Sequence, residues 1–464
     1  MLKISRFVMF AMVIGLFSCS TQFHKDIVEA NKLFNQMKFK DAARKLLPAA
    51  NSSGRDQLLA QMECGTMLNV AFDYENSNKL FLSAGELAKK IPISISQESI
   101  ALLTNDTKTN YRGEDFERVL IHMYAGMNFL MLDQNDSARV EFKRVNDLLT
   151  SYKSEGLNQF KQNIMAKYLT AVAFEAVADA SNDTDDLEYA YIEMKQIYQL
   201  DPSNPLVRRD LVRLSGKLKY DDEYQAWKAK FGNHADSPSQ VVVIFQNGMS
   251  PIKVSRGKIL DDESMRIALR LAFDSASLKT KEGVTFAAIL AVLATVDNPI
   301  PRYQRRSAKS DYLTLEIDGV EKARSYMLEN IADTSLKTLE EKYTTIKTKV
   351  AAGIVVKAIT AVIAGKIAKE IAQSSKKTKD VAGLIGAITG GIVGAGLIMQ
   401  IEPDLRCWST LPANFQLALA GINPGKHNVK VKFYANSAVI SEKDLGDFDI
   451  PAKKKFIINC RTVN

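Results

Sequence analysis

The chain has 464 residues, 46% hydrophobic and 25% charged, with Lys+Arg 61 against Asp+Glu 53 for a net charge of +8. That length is roughly three domains' worth of polypeptide, and the composition excludes a disordered or collagen-like polymer. Four Cys, and four His without ligand spacing, exclude a disulfide-dense scaffold and a zinc module, while dispersed basic residues argue against nucleic acid as a partner.

Residues 1–18 have the layout of a signal peptide: Lys3 and Arg6, then an apolar run from Phe7 to Ile14 that is too short for a membrane anchor. Leu16-Phe17-Ser18-Cys19 resembles the lipobox of bacterial lipoproteins. The resemblance implies cleavage before Cys19, a covalent lipid on its sulfur and a short lipidated N-terminus over 19–23. No other cofactor is expected. Ser20 stands where an Asp would retain the protein at the inner membrane, which implies a periplasm-facing protein of the outer membrane. Without Lys3 and Arg6 the net charge is +6.

Residues 24–235 read as paired helices. Ala42, Ser77, Ala138 and Ala190 are small residues opening second helices, and Leu46, Phe81, Phe142 and Met194 follow four places later. Twelve residues before each small residue stand Ala30, Gly65, Gly126 and Ala178. Small-then-large spacing lets one helix approach the other closely, and it resembles the tetratricopeptide repeat. The first two copies are 35 residues apart and the later steps are longer. Residues 206–231 look like a closing helix pair that covers the last repeat. Such a stack offers a concave face built from first helices, where Asn31, Phe34, Met127 and Leu130 are the candidate partner-binding residues, although core packing explains each of them better.

Asp236-Ser237-Pro238-Ser239 marks a boundary, and residues 236–464 have a different architecture. Val241–Phe245 is a β-branched run, and Pro251–Val254 after Asn247-Gly248 suggests its hairpin partner. Val284–Val296 is a strand region or a buried helix. Leu313–Ile317 alternates, Asp318-Gly319 is a turn, and the period becomes helical from Glu321 to Lys349. An apolar helical hairpin is expected over 350–401, with Val381–Ile401 uncharged and glycine-rich, buried or helix-paired in one reading and membrane-spanning in another. Short strands over 414–463 close a small antiparallel sandwich. The fold class is therefore α+β: a helical repeat solenoid followed by a β-rich domain with an inserted apolar hairpin.

Catalytic motifs are missing: no phosphate loop, no G-x-S-x-G, no H-E-x-x-H and no C-x-x-C occurs. No metal site and no catalytic residue is expected, and the chain does not read as an enzyme. The densest cluster is Asp404-Leu405-Arg406-Cys407-Trp408. Arg406 and Trp408 are candidate partner contacts. The bland alternative pairs Arg406 with Asp404 and buries Trp408. Cys407 and Cys460 are candidates for a disulfide in an oxidising compartment.

Three motifs carry a wider resemblance: Leu103-Thr104-Asn105-Asp106 followed by Tyr111-Arg112-Gly113-Glu114-Asp115-Phe116-Glu117, then Asn247-Gly248-Met249-Ser250-Pro251-Ile252-Lys253, then Asp404 to Pro412. Together they resemble an uncharacterised family of tetratricopeptide-containing lipoproteins of Gram-negative bacteria. The resemblance implies a lipid-anchored periplasmic protein and assigns no activity. The expected function is an interaction scaffold for an envelope protein or peptide, in envelope or peptidoglycan assembly. The rivals are a membrane-inserted component of an export or motility machine and an enzyme acting on glycan or lipid.

Overall fold

The computed structural model describes residues 22–91, 109–154, 163–181, 184–234, 236–276, 283–378, 401–453 and 455–463. The signal peptide, Cys19, the motif at Leu103–Asp106 and residues 381–400 lie outside the described residues.

Among the described residues ten helices run through the first half: α1 (22–35), α2 (Phe39–Asn51), α3 (Gln57–Val70), α4 (Tyr74–Lys90), α5 (Asp115–Met131), α6 (Asn135–Ser154), α7 (Ile164–Ser181), α8 (Thr184–Leu200), α9 (Pro205–Lys217) and α10 (Asp221–Phe231). Each packs on the next as a stack of hairpins. The small-and-large spacing is the reason. Gly65 lies under the Phe81 ring and Gly126 under the Phe142 ring, so close that a Cβ would meet them at 2.8 and 2.5 Å. The twelve residues of that pattern are all buried. Met37, Phe72 and Asp133, each five residues before its repeat's small residue, turn the chain at φ 61°, 64° and 62°. Asp73 and Asn204 cap α4 and α9 by accepting from helix-start N–H groups. In α9 and α10, Gly216 rests on the Tyr224 ring and Trp227 stacks on Phe231, closing the stack.

The second half builds two four-stranded sheets. The first has the order β10 (Lys455–Arg461), β1 (Ser239–Asn247), β7 (Asn414–Ile422), β6 (Tyr326–Glu329). The other has the order β5 (Val320–Arg324), β4 (Tyr312–Ile317), β8 (Gly425–Ala435), β9 (Ala438–Ile450). Between them lies a core of Val241, Val243, Phe245, Leu315, Val431, Phe433 and Cys460. All nine residues of β1 are buried, because Val242 and Ile244 on its other face join the core of the helical stack. A strand covered on both faces needs no polar alternation, hence the unbroken β-branched run.

Several expectations are corrected. β1 pairs with β7 and, in parallel, with β10; the hairpin segment instead forms β2 (Ile252–Val254), paired with β3 (Arg302–Gln304). Gly248 at φ 61° turns the chain out of the sheet. The parallel β1–β10 pair means that the sandwich is not purely antiparallel. The helix expected from Glu321 begins only at Ile331; Val320–Arg324 and Tyr326–Glu329 are strands. The exposed charges of β5 protect a sheet edge, and in the sequence they look like a helix surface. Val284–Val296 contains the helix α12 (Phe286–Leu293). No break separates Lys349 from Val350, since α13 is one continuous helix over Ile331–Thr378 without a Pro. With α11 (Glu263–Ser275) and α12, α13 buries Met265, Leu269, Phe273, Ile354 and Ile359 in a separate core that Ile401 also joins. The partner helix expected over Val381–Ile401 lies outside the described residues except for Ile401.

Candidate functional site: the filled groove of the helical stack

Helices α3, α5 and α7 are buried almost all round. One flank rests on their second helices, and the other is covered by the C-terminal half. The segment 404–412 runs across it, held by side chains of the repeats. Glu63 of α3 accepts four bonds: from Ser409 N–H at 2.6 Å, from Ser409 Oγ at 2.7 Å, from Thr410 N–H at 3.1 Å and from Thr410 Oγ1. Glu117 of α5 accepts the Trp408 N–H at 2.8 Å, the Tyr111 hydroxyl at 2.7 Å and the Glu114 N–H at 2.7 Å. Burial pushes both carboxyls above their ordinary values, while the donors on them pull the other way. All four carboxylate oxygens are occupied, so neither group is available as a general base or nucleophile.

Around this pair several other charges find partners. Arg406 grips Asp404 through Nε and Nη2 at 2.9 and 2.7 Å and reaches Asp56 through Nη1 at 2.7 Å. Asp404 is held below its usual range by that guanidinium despite its burial. Glu114 lies between Lys253 at 2.6 Å and Lys342 at 3.0 Å, and the two ammonium groups outweigh its burial and lower its carboxyl pKa. Three of the quoted motif segments therefore meet at one junction: 111–117 and 247–253 through Glu114 and Lys253, and 111–117 and 404–412 through Glu117 and Trp408. Ser250 N–H closes the third side on the Leu411 carbonyl at 2.8 Å.

The candidate contact residues are placed as follows. Asn31 Nδ2 donates to Ser409 Oγ at 3.0 Å. Phe34, Met127 and Leu130 are buried in the helical cores. Trp408 lies in an aromatic cluster, 5.8 Å from Phe81 and 5.6 Å from Tyr124, and its Nε1 donates to Thr66 Oγ1 at 2.9 Å. The bland alternative for Asp404, Arg406 and Trp408 is the observed one: an ion pair and a core aromatic. Cys407 and Cys460 are free thiols and not a disulfide, because they point into different cores, one under the helices and one between the sheets. Burial pushes their thiols up to about 12 and about 11.

Two buried networks escape a reading by motif. In the first, the Gln246 amide of β1 donates to Asn69 and Asn459 at 2.7 and 2.9 Å and accepts the Tyr124 hydroxyl at 2.8 Å. In the second, Arg213 holds Glu175 through Nη2 at 2.7 Å and Asp210 through Nε at 3.2 Å, while Lys455 of β10 reaches Glu175 at 2.6 Å. The only sequence signal is a polar residue in an otherwise apolar stretch, Glu175 within Ala171–Val177 and Gln246 after Val241–Phe245. Among the described residues no group of His, Cys, Asp and Glu is placed to hold a metal ion.

No protein-family model and no curated protein matches this chain. Among solved structures it is similar to the MamA RS-1 ArsTM double mutant, at 14% identity and a TM-score of 0.31, over 46% of this chain and 92% of that one. It is similar to a Podosopora anserina putative kinesin light chain with TPR-like repeats at 11% identity and a TM-score of 0.32, over 46% and 93% of the two chains. It is also similar to aspartyl phosphate phosphatase F of Bacillus subtilis, at 11% identity and a TM-score of 0.29, over 83% and 73%. Scores this low transfer neither fold nor function, and the repeat reading rests on the chain's own spacing and packing.

Proposed function

We propose that this chain is a lipid-tethered interaction scaffold of the cell envelope, anchored through Cys19 to the outer membrane and facing the periplasm, where it serves envelope or peptidoglycan assembly. It is not an enzyme in this reading. The observation that carries the binding role is chemical. The helical stack grips a turn of its own chain through carboxylates aimed at backbone N–H groups, Glu63 on Ser409 and Thr410 and Glu117 on Trp408, and Glu63 takes the two hydroxyls as well. Such carboxylates hold both the backbone and the hydroxyl side chains of a polypeptide. Because 404–412 fills this face, an outside partner docks elsewhere. Ile267 and Leu271 of α11 and Val356 and Ile367 of α13 are exposed apolar residues suited to it. A photo-crosslinking residue placed at 267 or 356 in living cells is expected to trap a defined envelope protein, and mass spectrometry is expected to find Cys19 acylated. An unmodified Cys19, or no discrete crosslink at either position, counts against the scaffold.

A second reading, a membrane-inserted machine component, is favoured by α13. Among the described residues its stretch Ile331–Glu370 is long and apolar enough to cross a membrane, and only about a third of its most apolar window is buried. Carbonate extraction of Cys19→Ala separates the two: release into the soluble fraction supports the tether, and retention supports insertion.

A further inference from the structure

We propose that the pocket between the α1–α2 turn, the α3–α4 turn and strands β9 and β10 binds a small amphipathic anion, a carboxylate or phosphate carried on an aromatic or short alkyl group. The pocket measures about 330 Å³. Lys38, Lys40, Lys443 and Arg461 line it, together with the apolar Phe39 and Phe72. Its single acid, Asp41, is engaged by Arg44 at 2.6 Å. Arg461 forms the inner wall and is only 5% exposed. Its Nη2 donates to the Thr410 carbonyl at 2.9 Å and touches Met249 Sδ at 3.1 Å, and its guanidinium lies 5.5 Å from the Phe34 ring centre, but Nε and Nη1 have no hydrogen-bond acceptor among the described residues.

A buried guanidinium without a carboxylate is costly, and it is held here beside an opening ringed by further cations. The cleft at the other end of the sheet makes the contrast. There Lys217 and Lys455 face Glu175 and Asp179, and the charges cancel within the protein. In the Arg461 pocket no described carboxylate faces the guanidinium, and the missing negative charge is assigned to a ligand. An anion supplies it, and an attached ring or chain covers Phe39 and Phe72.

The test is calorimetric titration of the full chain with phenyl phosphate, and with phenol and inorganic phosphate as separate arms. Phenyl phosphate is expected to bind at least roughly tenfold more tightly than either, and more weakly as salt is raised. Lys443→Ala and the double variant Lys38→Ala/Lys40→Ala should each weaken it about fivefold with an unchanged melting temperature. Because Arg461→Gln risks misfolding, the surface lysines decide the matter. Equal binding by phenol, equal affinity in the lysine variants, or no heat with phenyl phosphate overturns the site. Displacement of phenyl phosphate by a short-chain phosphatidylglycerol would assign the anion to a lipid, and persistence would assign it to a soluble molecule.

Discussion

The backbone N–H of Trp408 donates to the Glu117 carboxylate at 2.8 Å, joining a segment near the end of the chain to a helix in the middle of the repeats. Glu63 does the same for Ser409 and Thr410. These bonds make the helical stack and the sandwich one packed unit. They also fill the face of the helical stack that the repeat spacing alone would leave open.

Glu63→Ala should destabilise the fold by roughly 3–5 kcal/mol, since two backbone N–H groups and two hydroxyls lose their acceptor in a dry interface. Urea denaturation measures it, and proteolysis should then cut first near 404–412. A loss below ~1 kcal/mol would mean that water replaces the carboxylate.

Gly126→Ala and Gly65→Ala should each cost about 1–3 kcal/mol by forcing apart α5 from α6 and α3 from α4. Gly54 has nothing within 4 Å, so Gly54→Ala is the control and should be near neutral. Equal midpoints for all three would contradict the tight ring-on-glycine contacts.

Cys64, Cys407 and Cys460 are buried free thiols, and burial pushes Cys64 and Cys407 up to about 12. A thiol reagent at neutral pH should label them very slowly in the native protein and rapidly in denaturant. Intact mass without reductant should match three thiols among these positions, and a two-dalton deficit would indicate a bridge.

Glu329 of β6 has its carboxyl pushed up to about 7 by burial, with only the Thr334 hydroxyl at 3.2 Å to oppose it. The folded state keeps this proton after the unfolded chain has lost it. Its contribution to stability is therefore full below about 4.5 and is lost as the pH rises through 7. Subtracting the stability profile of Glu329→Gln from that of the natural chain should isolate a decline on the order of 1–2 kcal/mol over this window, allowing for partial exposure. A flat difference would refute the shift.

Arg213→Ala should cost roughly 3–5 kcal/mol, because Glu175 and Asp210 stay buried with less cation to face. Thermal unfolding reads it, and Lys455→Met, which keeps the stem, should cost less.

Local pattern by itself determined the repeats. Gly65 with Phe81 and Gly126 with Phe142 are read from spacing, because contact between neighbouring helices depends only on residues a fixed number of turns apart. The apolar run Val241–Phe245 of β1, the closing pair α9–α10 and the strands of 414–463 are likewise legible from local pattern. Only the tertiary structure decided where β1 pairs, that β5 is an edge strand, and that Trp408 and Arg406 face inward. Those outcomes depend on partners hundreds of residues away, and a charged residue such as Glu63 looks the same in sequence whether water or a buried backbone N–H satisfies it.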